Sequence, residues 1–284
     1  MKLAVAANAR SGRRTDTARI LALLRDRGAE VLPVELDDLA RRDVDLPAGA
    51  QRLVVAGGDG SIGVAALTAH RAGVPLAVVA TGTANDFARA LDLPRDLEQA
   101  CALAADPAAR TRHHEVGMFE GHPFVNSAAA GLSVAATLRA TPHKSRLGPL
   151  AYAVGAVQAG LTAAPLHARV SCDGREWFTG DAWQVVVAVT GAFGGGSRIG
   201  QTRHDDGQLD VVVVPAGPRV ALARRAYGMR RGQLARQKDV PHLRASAVHV
   251  ELVTGAAFNV DGEVRESSSA HITLVPTGVE VVVP

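Results

Sequence analysis

The sequence predicts an α/β amino-terminal domain built on a parallel sheet, followed by a β-rich domain of the antiparallel sandwich type. Three observations carry this. The first hundred residues alternate short apolar runs with helix-spaced segments, a pattern that implies parallel pairing with helices on both faces of a sheet. Beyond about residue 115 strand-like runs dominate, broken by Gly, Pro and Asp-Gly signals, as in antiparallel sandwiches. Residues with 47% hydrophobic and 21% charged side chains over 284 positions supply ample core for one large domain or two ordinary ones.

Element by element, Leu3–Ala7 reads as a first strand, followed by turn residues Asn8, Ser11 and Gly12. Residues 15–27 place Ala18, Leu21 and Leu24 on one helical face and close at Gly28. Val31–Leu36, Leu53–Ala56 and Pro75–Ala80 are the next strands, with helices over Ile62–His70 and from about Asn85. Asn8, Asp59 and Thr83 all follow strand ends, where ligands bind in such sheets. In the second half, strands are predicted at Phe124–Ser127, Ala168–Cys172, Trp183–Val189, Leu209–Val214, Val248–Val253, Phe258–Val260 and Val279–Val283, with helices at 147–163 and 218–236. The boundary falls between residues 106 and 116. The expected domains are therefore 1–115 and 116–284, with the last strand free to return to the first domain.

Lys and Arg number 31 against 28 Asp and Glu, a formal charge of +3, and aromatic residues make up only 4%. Nucleic-acid binding, which needs clustered positive charge and stacking rings, is not expected. Cys101 and Cys172 are far apart without C-x-x-C spacing and read as buried free thiols of a reducing compartment. No window approaches 18 uninterrupted apolar residues, although 147–164 comes closest. The expectation is a cytoplasmic protein that touches a membrane only from its surface.

Residues 53 to 61, Leu-Val-Val-Ala-Gly-Gly-Asp-Gly-Ser, are the most informative stretch. An apolar run leads into glycines around one carboxylate, with a hydroxyl and a helix behind. Glycines let backbone N–H groups approach a ligand, and a helix N-terminus favours anions. Asp59 in such a phosphate cradle would reach a metal ion or orient a hydroxyl. The segment lacks the Lys of G-x-x-x-x-G-K-[ST] and is not G-x-G-x-x-G, so it is a third kind of phosphate loop. Thr81-Gly82-Thr83-Ala84-Asn85-Asp86-Phe87-Ala88-Arg89 again sets glycine and hydroxyls after a strand, though Asn85 or Asp86 alone reads as a helix cap. Asn259-Val260-Asp261-Gly262-Glu263 reads first as a hairpin. His204-Asp205-Asp206-Gly207-Gln208-Leu209-Asp210 is either a turn before a strand or an oxygen-rich site for a hard cation.

Together these motifs resemble the diacylglycerol kinase catalytic-domain family, which includes bacterial lipid kinases and sphingosine kinases, in order and along nearly the whole chain. Gly57-Gly58-Asp59-Gly60-Ser61 is similar to the family's Gly-Gly-Asp-Gly-Thr nucleotide loop, and Gly82–Arg89 matches its G-T-x-N-D-F-A-R element. Asn8-Ala9-Arg10-Ser11-Gly12 resembles its opening N-P-x-[SA]-G, Asp261-Gly262-Glu263 its late D-G-E, and Gly194–Gly196 with Asp206–Val211 a further family pattern. The resemblance implies an NAD kinase/diacylglycerol kinase-like first domain that binds ATP and a second domain, with lipid entering between them. It implies ATP contacts from Asn8, Ala9, Arg10, Ser11, Gly12, Gly57, Gly58, Asp59, Gly60, Ser61, Ile62, Gly63 and Thr83. It also implies Mg²⁺ held by the carbonyls of Arg203 and Gln208 and the carboxylate of Asp206, and Glu263 as the base that takes the lipid hydroxyl proton. Ser61 stands for Thr, Ala9 and Ala80 for Pro, and Gln208 for an apolar residue, while the Thr usual after the second strand is not evident near Glu35 or Leu36.

Phosphoryl transfer needs positioning and charge neutralisation more than covalent help. N–H groups of Gly57–Ser61 would hold phosphate oxygens, with Mg²⁺ near Asp59 offsetting charge on the transferred group. The reading is an ATP- and Mg²⁺-dependent lipid kinase acting on a diacylglycerol- or sphingoid-like hydroxyl in phospholipid metabolism, with Asp59 and Glu263 as its catalytic carboxylates. Its rivals are a soluble-substrate kinase of NAD-kinase type and a non-catalytic nucleotide-binding regulator. The expected partners are a lipid and the inner face of a membrane, with a homodimer allowed for and no nucleic acid. The Arg-rich segment 218–238 is the candidate for membrane contact, although helical projection does not gather its cations on one face.

Overall fold

The computed structural model describes residues 1–7, 14–41, 45–140, 155, 158–192, 197–200, 205–253 and 257–284. They form two compact units, one of Met1–Val116 with Val275–Pro284 and the other of Gly117–Leu274.

In the first unit, strands β1 (Lys2–Ala7), β2 (Glu30–Glu35), β3 (Arg52–Gly57) and β4 (Leu76–Ala80) alternate with helices α1 (Arg14–Asp26), α2 (Leu36–Leu39) and α3 (Asp59–Ala72). Helices α4 (Asp86–Ala90) and α5 (Leu97–Ala105) and strand β5 (Arg110–His114) follow, and the last strand of the chain, β17 (Val279–Val283), completes the set. The sheet order is β2-β1-β3-β4-β17-β5. All neighbours are parallel except β17 and β5. Every residue of β3 is buried, as a central parallel strand covered on both faces requires. On one face Leu3, Val5, Val54, Ala56, Ala77 and Val79 meet Ile20 and Leu24 of α1 and Ala100, Cys101 and Ala104 of α5. The face of α1 is therefore set by Ile20 and Leu24, with Leu21 partly buried, while Ala18 is exposed. Helix α3 starts at Asp59 rather than Ile62 because Gly58 caps it, and it ends at left-handed Gly73, whose N–H reaches the carbonyls of Ala69 and His70. The chain leaves β1 for β2 on one side and reaches β3 on the other, so the carboxyl ends of β1 and β3 flank the switch point where open α/β sheets bind ligands.

The second unit is antiparallel throughout its paired strands. It contains β6 (Gly117–Phe119), β7 (His122–Phe124), β8 (Ser127–Gly131), helix α6 (Leu132–Ala140), β9 (Leu166–Cys172), β10 (Arg175–Ala188) and β11 (Leu209–Pro215). Helix α7 (Val220–Arg230), β12 (His242–Ala245), β13 (Ala247–Leu252), β14 (Ala257–Val260), β15 (Glu263–Glu266) and β16 (Ser269–Leu274) complete it. The main strand path is β15-β14-β8-β10-β9-β13-β16-β6-β7, and β11 joins β10 to β12. Long β10 pairs with β9 over its first half and with β8 and β11 over its second, with register shifts near Glu176 and Ala182; such bulges let one strand serve two parts of a curved sheet. The Val-rich runs of β10 and β11 are buried on both faces. Val185, Val187, Val211 and Val213 enter the main core with Phe124 and Phe258. Val186, Val212 and Val214 pack under Leu222 and Met229 of α7 and Leu234. The predicted helix at 147–163 falls mostly outside the described residues, and the one at 218–236 resolves into α7 and a 3₁₀ turn, Leu234–Arg236.

Candidate active site

The two glycine motifs of the first unit are built against each other. Thr81 N–H donates to the Gly57 carbonyl at 3.0 Å, which brings the ends of β3 and β4 together. A Cβ on Gly82 would lie 2.6 Å from Gly58 Cα, and one on Gly57 would lie 2.8 Å from the Ser61 side chain. Only glycine allows this approach, and it keeps the rim of the turn to bare backbone. No side chain caps the α3 N-terminus; the Ser61 and Ile62 N–H groups turn inward to the Gly58 carbonyl at 3.0 and 3.2 Å, so the positive end of the helix faces the turn ahead of Ser61, where an anion is favoured. Ile62 and Gly63 are buried behind the turn, whereas Thr83 is exposed at the second loop.

Asp59 joins the two motifs. Its Oδ1 accepts from the Phe87 N–H at 2.9 Å and its Oδ2 from the Asp86 N–H at 3.2 Å, so this carboxylate on α3 caps α4. Left-handed Asn85 (φ 48°) precedes α4 and donates from Nδ2 to the Gly82 carbonyl. Buried Asp86 pairs with Arg89 at 2.8 Å, and Arg89 also donates to the Ala84 carbonyl. Phe87 is fully buried, edge-on to His114 at 4.9 Å between ring centroids. Gly82–Arg89 is thus a cross-linked loop held at the mouth of the glycine turn. The glycine cradle, the uncapped helix and the exposed Thr83 hydroxyl fit a nucleotide's phosphates.

In the second unit β14 and β15 form a hairpin whose turn residues Asp261 and Gly262 have φ of 47° and 90°, the left-handed pair of a tight two-residue turn. The Asp261 side chain is the anchor. Its Oδ2 accepts from Val125 N–H at 2.7 Å, and its Oδ1 from Asn126 and Ser127 N–H at 2.9 and 3.0 Å. Asn259 fixes the other side, its Oδ1 accepting from Gly262 N–H at 2.8 Å and its Nδ2 donating to Thr137 Oγ1 on α6 at 2.5 Å. Glu263 follows this turn with an exposed carboxylate 3.4 Å from Arg265. The result is an accessible acid on a rigid base.

The acidic segment forms a turn leading into β11. Asp206 is paired with Arg244 of β12, whose Nη2 donates to both carboxylate oxygens. Asp210, nearly inaccessible, lies 2.7 Å from His242 Nε2 and 3.7 Å from Arg244 Nε. Asp206, assigned by resemblance to Mg²⁺, is therefore already matched by an arginine. Among the described residues no group of three or more His, Cys, Asp or Glu side chains is arranged to hold a metal. The Asp206 carboxylate is thus an ion-pair partner rather than an open metal ligand. The main-chain site of Gln208 is described, but Arg203, Asn8, Ala9, Arg10, Ser11, Gly12 and Gly194–Gly196 lie outside the described residues.

Sequence reasoning missed the clamps: Asp261 on three N–H groups, Asn259 on α6, and Arg244 on Asp206. The Asp-Gly turn signalled a hairpin, but partners 38 to 136 residues away gave no local signal.

A model of the diacylglycerol kinase catalytic domain matches residues 2–118, and a model of the YegS C-terminal NAD kinase beta sandwich-like domain matches 126–283. Curated relatives named diacylglycerol kinase include one from Staphylococcus haemolyticus, 26% identical over 256 residues (88% of this chain, 74% of the relative). Another, from Bacillus subtilis, is 28% identical over 234 residues (80% and 73%). The fold is similar to the crystal structure of a diacylglycerol kinase from Bacillus anthracis, with TM-score 0.79 and 22% identity over 100% of this chain and 97% of that one. An NAD kinase from Archaeoglobus fulgidus in complex with ATP superimposes more loosely, with TM-score 0.50 and 13% identity over 99% and 93% of the two chains. With both halves matched in order, the chain belongs to the diacylglycerol kinase catalytic-domain family, a family of lipid kinases.

Proposed function

We propose that this chain transfers the γ-phosphoryl group of ATP to a hydroxyl of a diacylglycerol- or sphingoid-like lipid. The observation that carries the reading is the mutual approach of Gly58 and Gly82 in front of the uncapped α3 N-terminus. It leaves the rim as bare backbone at the positive end of a helix, with no side chain in the way of phosphate oxygens. ATP enters as its magnesium complex, the metal arriving with the substrate. Asp59 orients the second loop through α4, and Thr83 and Ser61 line the turn. Glu263 accepts the hydroxyl proton as the new P–O bond forms and the bond from the γ-phosphorus to the bridging oxygen breaks, ADP leaving with that oxygen. The names of the staphylococcal and Bacillus relatives support a glycerolipid acceptor.

Labelled ATP offered with diacylglycerol, sphingosine, NAD and an extracted lipid panel tests the substrate. A labelled lipid product is expected, and labelled NADP alone would overturn the lipid reading. Glu263→Gln is expected to lower kcat by about 10²–10⁴, the usual contribution of a general base, with little change in the KM for ATP. Near-normal turnover would remove Glu263 from this role.

The proposed membrane contact uses α7. Val220 and Tyr227 are exposed on it, and Arg231 stacks over Tyr227 at 4.7 Å. Arg224 and Arg225 are held by Asp239, which leaves Arg230 and Arg231 as exposed cations beside the exposed apolar groups. Such a face suits an anionic lipid surface.

A further inference from the structure

We propose that Arg244 is the built-in cation of the second unit, its guanidinium standing where the family resemblance places a divalent ion. Arg244 is the cross-strand neighbour of Asp210 in the β11–β12 pair. From there its side chain reaches back to the turn before β11, where Nη2 donates to both oxygens of Asp206. Its Nε lies 3.7 Å from Asp210 Oδ1, so one planar, permanently charged group bridges two carboxylates. His242, from the same strand as Arg244, takes the same Asp210 oxygen at 2.7 Å. The other Asp210 oxygen is buried without a hydrogen-bond partner.

A magnesium ion needs near-octahedral oxygen ligands at about 2.0–2.1 Å. Here the one carboxylate among the three implied donors is engaged through both oxygens by a group that can only donate. A divalent ion brought to Asp206 would have to share that carboxylate with the like charge of Arg244. Asp210 cannot replace Asp206 as a surface ligand, because it is almost fully buried. The guanidinium therefore does the structural work of a metal, tying the turn at 205–207 to β12 independently of cation supply. The inference stands apart from the lipid kinase reading, since it concerns the protein without nucleotide or lipid.

Thermal unfolding of the nucleotide-free full chain, in EDTA and in MgCl₂ at matched ionic strength, tests it. Wild type is expected to melt at the same temperature in both. Arg244→Ala is expected to melt lower in EDTA and to regain roughly 2–6 °C in MgCl₂, a gain lost when Asp206→Asn is added. A wild-type gain in MgCl₂ that Asp206→Asn abolishes would overturn the proposal, and so would an Arg244→Ala protein that MgCl₂ does not rescue. Should Arg244→Ala fail to fold, electron paramagnetic resonance of Mn²⁺ bound to wild type and to Asp206→Asn decides. Equal stoichiometry is expected, and one extra ion in wild type refutes it.

Discussion

Asp261 satisfies three backbone N–H groups with two oxygens while holding a left-handed φ of 47° itself. Its replacement therefore acts twice, by orphaning donors and by loosening the turn that presents Glu263. Leaving a buried donor unpaired costs about 1–3 kcal/mol. Asp261→Ala is expected to lose stability on at least that scale in urea unfolding, and its kcat should fall even where the protein remains folded. Asp261→Asn keeps one acceptor oxygen and should lie between. Equal stability of all three proteins would show that the clamp contributes nothing. The D-G-E motif was legible as three letters, and its first residue looked like a mere turn former. Its role depends on N–H groups from residues 125–127, and no periodicity or spacing encodes a partner across that distance.

Helix α4 has five residues, too few to persist alone, because a helical nucleus is unfavourable. It is held by three contacts: the Asp59 cap, the Asp86–Arg89 pair and the burial of Phe87 against His114. Removing an N-cap side chain costs about 0.5–2 kcal/mol. Asp59→Ala should lose that much stability in urea unfolding and raise the KM for ATP, since the loop carrying Thr83 loses its anchor. An unchanged KM would sever Asp59 from nucleotide binding. The α/β alternation was legible because parallel strands are apolar throughout, as in Leu53–Ala56. Helix α6 was not: Ser127–Ala140 is rich in small residues that suit either state, and the switch from β8 lies at Gly131, which has a φ of 100° and where a Cβ would lie 2.3 Å from the Trp183 carbonyl oxygen. Helix α7 allows a separate check of membrane contact. Wild type is expected to sediment with phosphatidylglycerol vesicles and far less with phosphatidylcholine, each cation contributing about 1 kcal/mol. Arg230→Ala with Arg231→Ala should release it, and undiminished binding would assign the contact to another surface.

The chain closes its first unit with its last strand: β17 runs between β4 and β5, whereas the residues of the second unit come between β5 and β17 in sequence. The strand was legible as an apolar Val-rich run, but its place between β4 and β5 was not, since its residues carry no mark of which strands they will pair with. Each unit also carries one buried thiol, Cys101 in α5 and Cys172 in β9, and burial pushes both up to about 11. A thiol whose folded pKa is raised favours the folded state at neutral pH relative to more alkaline solution. Stability should therefore hold below the unfolded thiol's range, near pH 9, and fall as pH rises toward 11. That fall should be shallower in Cys101→Ala with Cys172→Ala, because the unfolded chain then gains no thiolate. The same thiols report on each unit separately, since a protonated buried thiol reacts only when its surroundings open. Deleting residues 275–284 strips β4 of one neighbour and leaves β5 without its strand partner, while every strand pair of the second unit remains. At pH 8 the deleted protein should expose Cys101 to a disulfide reagent within seconds and keep Cys172 protected. Protection of both would mean that the first unit stands without β17, and loss of both would mean that the two units unfold as one.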